Sequence, residues 1–187
     1  MGKLIYSAIT SLDGYIADRE GNFDWGEPDE EVHGYLNDLE RSAGTHLYGR
    51  KLYEVLTVWE TFYEKPELPK VFRDYATLWH HAQKIVFSRT LTAVHTARTR
   101  VERTFDPAAI RLLKAQTGED LAIGGADLAG QALQAGLVDE LNLIVSPILL
   151  GGGKAALPEN FTTTLELRKQ HHFGNGVVHL GYVLNND

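Results

Sequence analysis

Three short stretches of this sequence carry the residue types that hold a phosphate. Gly49-Arg50 ends "THLYGR", Ser88-Arg89 ends "KIVFSR", and Gly124-Gly125 ends "DLAIGG" directly ahead of "ADLAGQALQAGL". Each follows an apolar, strand-like run. A helix entered straight after Gly125 presents N–H groups with no intrahelical acceptor and a partial positive charge. With no Cβ on either glycine, a phosphate oxygen can reach those groups. The guanidinium groups of Arg50 and Arg89 match phosphate geometry, and the Ser88 hydroxyl adds a hydrogen bond. The plain alternative is a tight turn and two arginines at helix starts. Neither G-x-G-x-x-G nor a P-loop occurs, which disfavours a standard Rossmann or triphosphatase site.

The elements that must position these residues follow from the pattern around them. "KLIYSAIT" (3–10) reads as a central strand, followed by the loop "SLDGYIA". Residues 28–44 read as a helix with Pro28 in the first turn, an acidic start, a stripe of Val32, Tyr35, Leu36 and Leu39, and Gly44 at its close. A strand over 45–49 and a short helix over 50–59 come next, and "ETFYEKPELPK" reads as a surface loop for its two prolines. Strands are expected over 84–88 and 100–104, then a helix over 106–118 with Asp106 as N-cap and Pro107 at its first position. After "DLAIGG" and its helix, "VDELNLIVSPILLGGG", "TTLELRKQHHF" and "GVVHLGYVL" are all strand-like.

Alternation of strand and helix implies a mainly parallel sheet with crossover helices, and the closing strands add an antiparallel edge. In such open α/β sheets ligands sit beyond the carboxyl ends of the strands, where all three phosphate-suited stretches end.

The remaining composition narrows the partners. The 187 residues suit a single domain spanning 1–187, and the net charge of −7 includes no basic stripe for nucleic acid or an anionic membrane. There is no cysteine, hence no disulfide and no thiolate chemistry. The opening apolar stretch is too short for a leader or a membrane span, so the chain reads as a soluble, cytoplasmic protein. The eight histidines include the pairs His80-His81 and His171-His172, and adjacent histidines on a strand point to opposite faces, so no metal site is expected.

Taken together, "SLDGYIA", "YGRKLYE", "VFSRTL", "IGGADLAGQALQAGLVDEL" and "SPILLGGG" resemble the dihydrofolate reductase-like superfamily, and within it the reductase domain of bifunctional riboflavin biosynthesis enzymes and its stand-alone relatives. The resemblance covers essentially the whole chain. It implies a mixed, mostly parallel sheet of about eight strands with four flanking helices and an antiparallel last strand. It also implies an NADPH-dependent reductase and a possible homodimer. By motif, NADPH would contact Ala8, Gly49 and Arg50, Ser88 and Arg89 at the 2′-phosphate, and Gly124, Gly125, Ala126, Asp127 and Leu128 around the pyrophosphate. The diglycine turn is often a cis peptide in that superfamily.

Three positions depart from the relatives. His33 stands near the place where dihydrofolate reductases carry a carboxylate, Tyr15 where riboflavin-pathway reductases carry a lysine, and Leu52 where a threonine is usual. A small heterocyclic or carbonyl substrate is expected, with "SLDGYIA" as a lid. Asp13 or Tyr15 would orient the substrate or relay a proton, although Asp13-Gly14 also suits a tight turn for its own sake. Trp25, Trp59 and Tyr53 would line an aromatic pocket, or belong to the core. Gly152 and Gly153 would form the opposite wall, or a hairpin connection. A silent NADPH-binding module and a phosphosugar-binding protein are the competing readings.

Overall fold

The computed structural model describes residues 2–185. Its centre is an eight-stranded sheet with the spatial order β5-β4-β3-β6-β1-β7-β10-β9. The strands are β1 (Leu4–Ser11), β3 (Ala43–Gly49), β4 (Gln83–Phe87), β5 (Thr99–Glu102), β6 (Asp120–Gly124), β7 (Glu140–Ser146), β9 (Leu165–His172) and β10 (Val178–Leu184). All pairings from β5 across to β7 are parallel, and β10 runs antiparallel to both of its neighbours. Two short strands, β2 (Tyr15–Ala17) and β8 (Lys154–Ala155), pair with each other in a separate ribbon.

Six α-helices accompany the strands among the described residues, not four: α1 (Glu30–Glu40), α2 (Arg50–Leu56), α3 (Val58–Tyr63), α4 (Lys70–His81), α5 (Pro107–Gln116) and α6 (Ala126–Gln134). Part of the stretch expected to be a surface loop is therefore helical. Pro66 lies beyond the end of α3, and Pro69 is the N-cap of α4, so neither proline interrupts a helical hydrogen bond. Val71, Phe72, Tyr75, Ala76 and Trp79 in α4 recur at three- and four-residue intervals, and Ala76 and Trp79 are fully buried. α1 stops before Gly44, which lies inside β3, where a Cβ would collide with the Glu119 side chain.

Alternation along the strands sorts the core into two layers. Leu47 and Ile85 face the cluster built with Ile110 of α5 and Leu128, Ala132 and Leu133 of α6. Their neighbours Tyr48 and Val86 face Tyr53 of α2 and Trp79 of α4. α1 closes the other end of that second layer, where Val32 packs on Ile144, Phe173 and Val177. Lys84 is buried under α4, where its ammonium donates to the Trp79 carbonyl at 2.6 Å and the Ala82 carbonyl at 3.0 Å. It thereby occupies acceptors that the helix end leaves free. At the sheet's far edge, β9 is exposed along its whole length. Its register with β10 slips between Gly181 and Tyr182, which pair with Lys169 and Leu167 and leave Arg168 unpaired in the ladder.

Candidate functional site

β4, β3 and β6 lie side by side and parallel, so the carboxyl ends singled out in the sequence share one rim. Gly49 is level with Phe87, and Tyr48 is level with Gly124. The two adjacent glycines do different work. A Cβ on Gly124 would stand 2.5 Å from Leu52 Cδ2 and 3.3 Å from the Tyr48 ring, so this glycine lets α2 pack down on β6. Gly125 has φ +89° and is the N-cap of α6, a conformation that disfavours any side chain. A Cβ there would find nothing nearer than Leu52 Cβ at 3.9 Å and the Gly49 nitrogen at 4.0 Å. The space above Gly125 is thus bounded by the Leu52 Cβ of α2 and the main chain of Gly49. Ala129 N donates to Gly125 O at 2.9 Å as the first intrahelical bond, so the N–H groups of Ala126, Asp127 and Leu128 precede the helical ladder. No peptide bond among the described residues is cis, so the diglycine turn is trans here.

β1 outruns β6. Their pairing ends at Tyr6 with Ile123, whereas β1 continues beside β7 as far as Ser11. From Ala8 onward the β6-facing edge of β1 therefore has no strand beside it, which leaves a notch above Gly124 between β1 and the end of β3. Ala8 flanks this notch while its side chain packs against the α5–α6 cluster.

The arginines differ in how far they are committed. Arg50 donates through Nε to Glu54 at 2.7 Å and through Nη1 to Thr90 Oγ1 at 2.9 Å, so it ties α2 to the turn after β4. Ser88 is buried, and its Oγ accepts from Thr90 N at 3.3 Å and Leu91 N at 3.0 Å, which shapes that same turn. Arg103, absent from the sequence expectations, fixes the turn from outside by donating to the carbonyls of Ser88 at 3.0 Å and Leu91 at 2.8 Å. Arg89 is exposed and makes no hydrogen bond or ion pair to any described residue. It is a guanidinium ready for an outside anion.

The loop after β1 is clamped, and the clamp reassigns Asp13. Its Oδ1 accepts from Ser11 Oγ at 2.7 Å and Leu150 N at 3.1 Å, and its Oδ2 accepts from Gly151 N at 2.7 Å. These donors, the Ser11 hydroxyl foremost, hold the carboxyl at a pKa of about 2. A carboxylate so occupied anchors a loop and carries no proton near neutrality. Tyr15 stands half-buried in β2, which pairs with β8 at Ala155. A Cβ on Gly152 would meet the Arg19 guanidinium and one on Gly153 the Ala17 carbonyl, so these glycines first serve the seam between loop and wall. Lys154 extends the seam to α6 through an ion pair with Asp127 at 2.7 Å. A groove of about 330 Å³ runs there between α6 and residues 154–158. A second, of about 310 Å³, lies away from the rim around Asn142 and Gly181.

Of the three aromatic residues expected to line a pocket, Trp59 packs half-buried on the cluster around Trp79, and Tyr53 is core. It is 3% exposed, packs with Tyr48, Trp79 and Val86, and bonds Thr96 Oγ1 at 2.9 Å. Trp25 is half-exposed in a 3-10 turn over 24–26, with its indole N–H donated to Asn22 O at 3.2 Å. That turn lies against Ile9 of β1, beside the notch. His33, in the first turn of α1, is buried among Trp59, Phe72 and Tyr75 with ring centroids 5.6, 5.0 and 5.9 Å away. The pair His80-His81 ends a helix and only His171-His172 lies on a strand. Among the described residues no three histidine, aspartate or glutamate side chains cluster as metal ligands would, and no helix is long and apolar enough to cross a membrane.

Comparison with known proteins agrees with this architecture. A family model described as the RibD C-terminal domain matches residues 2–179. The Bacillus subtilis (strain 168) protein YyaP is 30% identical over 187 residues, covering 98% of this chain and 95% of YyaP. Among solved structures, Acinetobacter baumannii RibD superposes with a TM-score of 0.70 at 18% identity, covering 99% of this chain and 58% of that one. Enterococcus faecalis dihydrofolate reductase, complexed with NADP(H) and RAB-propyl, superposes with a TM-score of 0.62 at 13% identity, covering 98% of this chain and 97% of that one.

Proposed function

The chain belongs to the RibD C-terminal domain family, and from that membership and the form of the rim we propose that it is an NADPH-dependent reductase of a small, uncharged heterocyclic or carbonyl compound. The observation that carries the reading is the notch above the diglycine turn. β1 continues past the end of β6 beside a Gly125 whose φ is +89° and whose missing side chain leaves space next to the Gly49 nitrogen. Such a place suits a pyrophosphate at the first turn of α6 and a flat ring against the free edge of β1.

The residues divide the task. The N–H groups of Ala126, Asp127 and Leu128 receive the pyrophosphate beside Gly49. Arg89, with no partner inside the protein, and the Ser88 turn receive the 2′-phosphate. Arg50 holds that turn against α2 and keeps one guanidinium nitrogen for the ligand. When bound, NADPH supplies the hydride. The lid at 12–15, locked to residues 150–151 by Asp13, keeps water out of the notch. Ionised Asp13 is a poor proton source, which leaves Tyr15 and solvent for the proton. His33 in place of a carboxylate disfavours a cationic folate-type ring, and Tyr15 in place of lysine disfavours a ribityl-phosphate substrate.

The test is direct. Calorimetric titration of the purified protein should show NADPH binding more tightly than NADH, and NADPH absorbance should fall when a panel of unsaturated carbonyl and heterocyclic compounds is added. Failure of both nucleotides to bind at millimolar concentration refutes the reading. Binding without oxidation across the panel leaves a nucleotide-binding module in its place.

A further inference from the structure

The groove of about 310 Å³ around Asn142 and Gly181 has no part in the rim, and strand register explains what lines it. Ser7, Asn142, Gly181 and Lys169 pair in turn across β1, β7, β10 and β9. Their side-chain positions therefore form one row on one face of the sheet. It is the face on which α1 packs at Ile144, two residues further along β7. Gly181 brings no side chain to the row. A Cβ there would stand 3.0 Å from Asn142 Oδ1 and 3.2 Å from Lys169 Cβ, so this glycine lets Asn142 and Lys169 converge over β10.

Both converging residues hold donors in reserve. Asn142 is 5% exposed, and its Oδ1 accepts from His179 Nε2 at 2.9 Å. The other His179 nitrogen, Nδ1, lies 2.8 Å from Tyr35 Oη, which ties Asn142 through the imidazole to α1. Burial, with help from the Lys169 ammonium, holds the His179 pKa at about 4, so the ring is neutral and Nδ1 accepts from the tyrosine. With Oδ1 committed to that chain, the Asn142 amide nitrogen is turned away from His179 and bonds to no described residue. Three cations line the same groove. Lys3 is paired with Glu140 at 2.6 Å and Arg168 with Glu166 at 2.8 Å. Lys169 makes no hydrogen bond or ion pair to any described residue. A nearly buried amide without an acceptor, beside an unpaired ammonium, calls for a ligand that supplies both.

We propose that this groove is a second binding site, separate from the rim, for a small organic molecule carrying one carboxylate, held between the Lys169 ammonium and the Asn142 amide. Both groups donate and neither ammonium nor amide nitrogen accepts, so the ligand must bring acceptor oxygens and negative charge. One unpaired cation balances one charge. A phosphate dianion would need a second, and Lys3 and Arg168 are already spent on carboxylates. The volume lies at the small end of the roughly 300–1,000 Å³ usual for such sites, which suits a body of about one ring. Val183, level with Glu140 on the same face, offers that body an apolar side. The site does not depend on the reductase reading.

The experiment uses benzoate as the probe, benzylamine as the same ring with the opposite charge, and inorganic phosphate as the multiply charged anion. In nitrogen-15 spectra of the full chain at constant ionic strength, benzoate should saturably shift the Asn142 side-chain amide and the Gly181 main-chain amide. The amides of Gly124 and Gly125 should stay in place. Lys169→Gln should weaken benzoate binding by about tenfold or more, and Lys169→Arg should retain most of it. Lys169 is exposed and has no described partner to lose, so both variants should fold, and the parent spectra decide even where one does not. No saturable shift at Asn142, equal or tighter binding of benzylamine or phosphate, or unchanged benzoate affinity in Lys169→Gln each overturns the proposal. Sedimentation of the same samples tests another occupant. A dimer that Lys169→Gln dissociates, in a protein whose Asn142 amide ignores benzoate, would give the groove to a second copy of this chain and overturn the proposal as well.

Discussion

Gly124→Ala offers the sharpest test of how the rim is built. The new methyl would stand 2.5 Å from Leu52 Cδ2 and 3.3 Å from two atoms of the Tyr48 ring. The first distance is about 1 Å inside ordinary contact. Leu52 Cδ2 is the tip of a half-buried side chain and can swing, whereas Tyr48 is 3% exposed and can yield only a few tenths of an ångström. Overpacking of this kind costs about 1–3 kcal/mol. Leu52→Ala alone should cost about 1–2 kcal/mol, the lower range for a leucine because it is only half-buried. In the double variant the alanine methyl enters space that Leu52 vacates, so the combined loss should fall short of the sum by about 1 kcal/mol or more. Urea unfolding of the four proteins measures this from the midpoints, provided the slopes agree. NADPH affinity should follow the same pattern, lowered in Gly124→Ala and largely restored by adding Leu52→Ala. Additivity within about 0.5 kcal/mol would refute the account, because it would mean that Leu52 is not what keeps residue 124 a glycine.

Two further predictions concern charge. Arg89→Ala should weaken NADPH binding by about 1.5–3 kcal/mol and NADH binding far less, with an unchanged melting temperature because Arg89 has no internal partner to lose; equal weakening of both nucleotides, read by calorimetry, would remove Arg89 from the 2′-phosphate site. Asp13 has its pKa depressed from the ordinary 3.8 to about 2, so the folded loop binds fewer protons than a released one. The clamp should therefore hold fully above about pH 4 and loosen as pH falls through about 2, with Asp13→Asn loosening it at every pH. Amide resonances of Leu150 and Gly151 report this, and a seam indifferent to both acid and the substitution would count against it.

Much of the sheet is legible in the chain because its signals are local. Asp106 and Pro107 open α5 as capping chemistry requires, and the apolar runs before Gly49, Ser88 and Gly124 are the buried parallel strands they resemble. What escaped reading depends on distant partners. Prolines at 66 and 69 mark loops on average, yet here one follows α3 and the other caps α4. The letters Gly124-Gly125 cannot say that the first glycine makes room for Leu52 and the second supplies a positive φ. Asp13 looks catalytic until Leu150 and Gly151, 137 and 138 residues away, prove to own its oxygens. Tyr53 and Trp25 are both aromatic, and only packing separates core from rim. His33 is legible as a position on α1, but its burial among Trp59, Phe72 and Tyr75 is visible only in three dimensions.

The outermost strand carries a last consequence. β9 presents an unsatisfied main-chain edge to water with Leu165 and Leu167 standing exposed on it, the profile of a template on which other chains polymerise. The slipped register at Gly181–Tyr182 bends that border, and the Arg168–Glu166 contact at 2.8 Å sets charge at the bend. An approaching straight strand would have to match the kink and strip water from both ions at once. The irregularity thus works as a guard against amyloid growth along a margin that no helix among the described residues covers.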